Sequence, residues 1–107
     1  MAATYIESFV TLSVDVAYAP TVPLSTVTRM SDGESVGAES SLTKVFWSEL
    51  DVRLHELALG LLGVAAERDE SGWMKGYQFA LSGPIYAGTN EIQRNVIAER
   101  VLGLPRA

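Results

Sequence analysis

Between Gly83 and Arg94 the chain reads Gly83-Pro84-Ile85-Tyr86-Ala87-Gly88-Thr89-Asn90-Glu91-Ile92-Gln93-Arg94, a spacing able to present the start of a helix to a negatively charged ligand. Gly83-Pro84 is turn chemistry, and Gly88 permits a positive φ or close backbone approach. Thr89 and Asn90 are helix-start residues, and Asn90 with Gln93 three positions later has capping-box spacing. The free N–H groups and positive dipole end of such a helix suit an anion, typically a phosphate. The same residues also describe an ordinary capped surface helix, and spacing alone leaves both readings open.

Other chemistries are poorly supplied. The 107 residues contain no cysteine, which excludes disulfides, thiolate catalysis and cysteine-ligated metals. The single histidine, His55, cannot build a zinc site by itself, so no metal is expected. Beside Glu56 in a helical pattern, it reads as a solvated or locally bonded side chain. A net charge of −5, with no basic run longer than one residue, argues against nucleic acid as a partner. The N-terminus lacks the basic start of a signal peptide. The longest apolar run, Leu57 to Ala66, is half of what a bilayer requires, so a cytoplasmic protein with no membrane partner is expected.

The elements that must position the loop are helical. A helix is predicted from about Glu39 to Leu62, with Leu42, Val45, Phe46, Leu50, Leu54, Leu57, Ala58, Leu61 and Leu62 on one core stripe. Gly63 is its stop, and Gly60 weakens its last turn by ~1 kcal/mol relative to alanine. After a charged loop at 67–72, a short helix spans Trp73 to Leu81. The final helix runs from about Asn90 to Leu102, burying Ile92, Val96, Ile97 and Val101, and Gly103 and Pro105 end it. Upstream, Val10, Leu12, Val14, Val16 and Tyr18 alternate with smaller or polar residues, the period of a half-buried strand, and Pro20 and Pro23 stop it. No second alternating segment pairs with it. It is left to pair with another chain, to fray as a disordered arm, or to be an artefact of a misplaced start or shifted frame; the last two are favoured. Residues 30–38 have linker composition.

The segment Ile85-Tyr86-x-Gly88-Thr89-Asn90-Glu91-Ile92-Gln93-Arg94, with Val96-Ile97-Ala98-Glu99-Arg100-Val101-Leu102-Gly103-Leu104-Pro105-Arg106, closely resembles the C-terminal signature of the FAD-dependent acyl-CoA dehydrogenases. The resemblance is most specific over 83–106 and extends back to about Gly33. It looks most like the actinobacterial branch acting on steroid side chains and other unusual acyl-CoA thioesters. Family members are several times longer, which implies a C-terminal fragment or a truncated gene product. The fold expected is all-α, part of the family's C-terminal four-helix-bundle domain (33–107), behind an unmatched extended or disordered arm (1–32).

The resemblance implies α,β-desaturation of an acyl-CoA thioester, hydride passing to FAD and a carboxylate taking the α-proton. In many relatives that base is a glutamate between the Tyr and Gly of the motif. Here the position is Ala87, which has no proton acceptor. Tyr86, Ala87 and Gly88 match the stretch that lines or approaches substrate, and Thr89, Asn90 and Glu91 match the triplet contacting FAD. Arg94 matches as well, though an intrahelical or interhelical ion pair explains it without any ligand. The family's Gln-x-x-Gly-Gly run, which reaches the FAD of a neighbouring subunit, falls on Gly60-Leu61-Leu62-Gly63-Val64, where only Gly63 survives.

Two or three helices leave apolar stripes uncovered, so other dehydrogenase domains or subunits, in a homo- or hetero-oligomer, are expected partners. The reading that follows is a C-terminal part of an acyl-CoA dehydrogenase, completing a flavin and substrate site without supplying the base. The alternative is a non-catalytic helical interaction module or an inactive truncated product.

Overall fold

The computed structural model describes residues 2–68 and 72–106, so the middle of the charged loop lies outside the described residues. Five α-helices occupy them: α1 (Ala2–Tyr18), α2 (Thr21–Ser31), α3 (Glu39–Leu62), α4 (Gly72–Ala80) and α5 (Asn90–Arg100), with a 3₁₀ stretch at Gly63–Glu67 between α3 and α4. The all-α expectation holds. The other four helices all pack against α3, a rod of about 36 Å at helical rise. Gly63 ends α3 at a φ of 56°, a conformation glycine adopts without penalty.

The N-terminal segment is a correction. Val10 to Tyr18 is helical, not extended, and α2 follows it directly. Alternation of β-branched residues is a weak local preference that tertiary docking overrides. Residues at helical spacing face α3: Leu12 is buried, Tyr5 lies on Gly60, and Asp15 pairs with Arg53 at 2.9 Å. Thr11 and Ser13 satisfy their hydroxyls on the carbonyls of Glu7 and Phe9, four residues back, so these residues stay inside the helix. Pro20 does break α1. Pro23 sits in the first turn of α2, where a missing N–H costs nothing.

Gly60 has a reason beyond helix propensity. A Cβ there would lie 2.9 Å from Tyr5 Cε1, so the glycine lets the tyrosine of α1 seat on α3. On the opposite side, Gly76 of α4 accepts the ring of His55, whose Nε2 a Cβ would meet at 2.4 Å. His55 Nδ1 is 2.9 Å from the Asp51 carbonyl, and the ring stands edge-on to Trp73, so the histidine is locally bonded as expected.

The apolar stripe of α3 is only partly core. Leu50 is buried, while Leu42, Phe46, Leu54, Leu61 and Leu62 are exposed. Ile92 on α5 and Val101 just past its end are likewise exposed, contrary to expectation. Small and polar residues fill the closest contacts: Ser41, Ser48, Ala66, Ala80 and Asn90 are buried. The Cα radius of gyration is 16.7 Å, against about 13 Å for a compact chain of this length. The accessible surface of 7511 Å² likewise exceeds the roughly 5,800 Å² of a closed globule of this mass. The helices form one layer around α3 and leave its outer apolar face open. No helix among the described residues is long and apolar enough to cross a membrane.

Candidate functional site

Thr89, not Asn90, caps α5. Its φ and ψ of −58° and 155° are those of an N-cap, and its hydroxyl oxygen accepts from the Ile92 N–H at 3.3 Å. Asn90 is therefore the first helical residue, and its N–H donates to the Pro84 carbonyl at 2.8 Å. The Gln93 N–H donates to the Thr89 carbonyl at 2.9 Å. The Glu91 N–H and then the Thr89 hydroxyl, with Arg94 and Lys44 nearby, hold the Glu91 carboxyl below the usual glutamate range. The chain thus fills its own helix start with an anion, and the expectation of free N–H groups awaiting a phosphate there is corrected.

The open donors lie one step earlier. Ala87 and Gly88 both have positive φ, 55° and 87°. Among the described residues the N–H groups of Ala87, Gly88 and Thr89 have no partner, and Ala87 and Gly88 are exposed. Beside them Tyr86 leans on Trp47 of α3 with ring centroids 6.3 Å apart. Tyr86 is half exposed rather than buried. Past Trp47, residues Tyr18, Val22, Pro23, Leu42 and Phe46 line an open apolar groove of about 530 Å³. Two or three backbone donors next to an aromatic wall suit a carbonyl or ring-edge oxygen better than a phosphate, whose charge would oppose Glu91.

The predicted site residues divide into two places. Tyr86, Ala87, Gly88, Thr89, Asn90 and Glu91 form one continuous feature. Gly63 lies about four turns further along α3 than Ser48, against which Asn90 packs, or about 22 Å away at helical rise. One ligand edge cannot bridge that span within this chain. The side chain of Asn90 is turned inward, the residue is buried and its N–H is held by the Pro84 carbonyl, so Asn90 supports the loop from beneath.

Asn90 is the centre of a network that the sequence did not disclose. Its Nδ2 donates to Ser48 Oγ at 3.0 Å and to Glu49 Oε1 at 3.3 Å. Its Oδ1 accepts from Lys44 Nζ at 2.8 Å, and the same ammonium donates to the Gly88 carbonyl at 2.8 Å. Arg94 pairs with Glu49 of α3, so of the intrahelical and interhelical ion pairs open to it the structure forms the interhelical one. Gln93 Nε2 donates to the Ala87 carbonyl at 2.9 Å. Gly83 brings the loop down onto Ser48, where a Cβ would lie 3.4 Å from the serine's own. The available signal was Lys44 and Ser48 at i, i+4 within a helix otherwise patterned for apolar packing.

Fold and signature together place the protein in a family: residues 5–102 match the acyl-CoA dehydrogenase C-terminal domain, and the chain belongs to that family. The match includes α1 and α2. Among curated relatives, the chain is 43% identical over 72 residues to acyl-CoA dehydrogenase IpdE1 of Mycolicibacterium smegmatis, covering 64% of this chain and 18% of that protein. It is 42% identical over 72 residues to acyl-CoA dehydrogenase IpdE1 of Mycobacterium tuberculosis, covering 64% and 19%. To acyl-CoA dehydrogenase FadE26 of the same organism it is 35% identical over 78 residues, covering 65% and 20%. The chain thus spans about a fifth of the length of these relatives. A solved FAD complex of PigA superposes with a TM-score of 0.84 at 24% identity, covering 94% of this chain and 26% of that one, which shows the fold.

Proposed function

We propose that this chain is the C-terminal helical part of an FAD-dependent acyl-CoA dehydrogenase, bringing the Tyr86–Thr89 loop to a flavin and acyl-CoA site completed by other polypeptide. The observation that carries the reading is the pair of positive-φ residues, Ala87 and Gly88, that leaves backbone donors open beside the Tyr86–Trp47 aromatic pair. Bound FAD would supply the hydride acceptor for desaturation of the thioester. Within this chain, Tyr86 offers an apolar wall to the acyl part. The N–H groups of Ala87 and Gly88 offer hydrogen bonds to a substrate oxygen, which gains strength where water is excluded. The Thr89 backbone and the Glu91 side chain, seated on the buried Asn90, fit a polar, uncharged edge of the flavin rather than its phosphates. Gly63, remote from this loop, would serve a second flavin if it serves any, as in an oligomer.

The chain supplies no general base. Ala87 has only a methyl group where many relatives place the glutamate, and Glu91 is occupied by its own helix terminus. Proton abstraction falls to a carboxylate outside this chain. The open apolar faces of α1 and α3 support assembly with further dehydrogenase domains or subunits in a cytoplasmic, lipid-metabolising oligomer.

Complementation tests the reading. IpdE1 of M. smegmatis lacking the stretch that this chain matches is co-expressed with the chain and purified. Restored visible flavin absorbance together with acyl-CoA-dependent bleaching is expected. Co-purification without flavin would reduce the chain to a helical interaction module, and failure to associate at all would sink the proposal.

A further inference from the structure

We infer that Lys44 and Gln93 are positioning residues that together aim the loop's backbone donors out of the protein. In a trans peptide the carbonyl of one residue and the N–H of the next point in opposite directions, and all described peptide bonds are trans. Gln93 of α5 captures the Ala87 carbonyl, so the Gly88 N–H is directed away from α5. Lys44 of α3 captures the Gly88 carbonyl, so the Thr89 N–H is directed away from α3. Each helix therefore fixes one donor by holding the opposite end of the same peptide plane.

The loop needs these ties. Alanine at a φ of 55° is strained by about 1 kcal/mol or more, and such a conformation persists only where neighbours over-determine it. Lys44 is itself fixed by Asn90 Oδ1, whose carboxamide is locked against Ser48 and Glu49. Gln93 has room to reach Ala87 only because residue 88 is glycine: a Cβ there would lie 2.6 Å from Gln93 Nε2. Gly88 is thus required twice, by its φ of 87° and by the side chain that passes over it. That these donors meet a ligand oxygen rests on the function proposed above. That Lys44 and Gln93 set their direction does not.

The test is nuclear magnetic resonance on the whole chain, wild type beside Lys44→Met, Gln93→Met and Lys44→Arg. In the wild type, the Lys44 ammonium should show slowed proton exchange and a scalar coupling to the Gly88 carbonyl. Order parameters at Ala87 and Gly88 should be near the rigid value of about 0.85 and fall below about 0.6 in either methionine variant, with Val96 and Ile97 unchanged. Lys44→Arg, which keeps charge and donors, should restore most of the loss. A freely rotating Lys44 ammonium, or rigid Ala87 and Gly88 in both methionine variants, would overturn the inference, and the first readout stands even if a variant fails to fold. Titration with octanoyl-CoA separates the two proposals. If, in the complex co-purified with the complementing polypeptide, the Ala87 and Gly88 amides do not respond while the order parameters behave as expected, the ligand reading falls and the positioning inference survives.

Discussion

The carboxamide of Asn90 donates to the hydroxyl of Ser48 at 3.0 Å across the α3–α5 crossing, with both residues almost completely buried. A short pair of polar side chains lets the two helices approach closely where a leucine pair would hold them apart. Removing Asn90 leaves the buried Ser48 hydroxyl with only its bond to the Val45 carbonyl and takes a partner from Lys44 and Glu49 at once. Asn90→Ala should therefore destabilise the chain by about 1–3 kcal/mol. In thermal unfolding followed by circular dichroism, Tm should drop by several degrees. An unchanged Tm would show that the crossing is held by other contacts.

Gly60 seats Tyr5 of α1, and its replacement has a structural cost here. Gly60→Gln should expel Tyr5 from its seat and detach α1, because the first added carbon already lies 2.9 Å from the ring. Limited proteolysis is the check: cleavage within α1 should accelerate in the variant, while α3 and α5 stay protected. Gly60→Ala should show the same effect in milder form.

Ala87 bears the backbone strain of the loop. Ala87→Gly relieves it by about 1 kcal/mol, which the greater freedom of the unfolded glycine largely offsets, so stability should hold or rise slightly. Ala87→Val should lower stability by more than 1 kcal/mol, roughly, because a β-branched side chain crowds this conformation most. Chemical denaturation of the three proteins would reveal the order, and a valine variant as stable as the wild type would contradict the positive φ.

The Glu91 carboxyl, held by its own N–H and by Thr89, should titrate below the usual glutamate range. A depressed folded-state value means the contribution to stability is fully present above the unfolded glutamate value and is lost as pH falls through the folded one. The side-chain carbon shift of Glu91 is the readout. Thr89→Val, which removes one donor and the cap, should move its midpoint upward, and α5 should fray at its first turn.

The open apolar face of α3 with the exposed side of α1, including Phe9, Val14 and Leu54, predicts self-association of the chain by itself. Sedimentation at micromolar concentration should detect dimers or larger species. A clean monomer with cooperative unfolding would mean that the exposed face needs no partner.

The sequence by itself determined the family, the all-α class and the bounds of the elements that carry strong local signals. Glu39–Leu62 has a long helical period ending at Gly63, and Thr89-Asn90 marks the start of α5, so both helices are legible without a structure. An alanine between Tyr86 and Gly88 is likewise read directly from the sequence. Tertiary structure decided the rest. Residues 10–18 carry the alternation of a strand, and only docking of Tyr5, Leu12 and Asp15 on α3 makes them a helix, since their β preference is weaker than that burial and pairing. Lys44, Ser48 and Glu49 precede Asn90 by more than forty positions, and no local pattern announces a contact across that separation. The direction of the loop's N–H groups is of the same kind: peptide planes turn according to what captures their carbonyls, and those captors sit on two different helices.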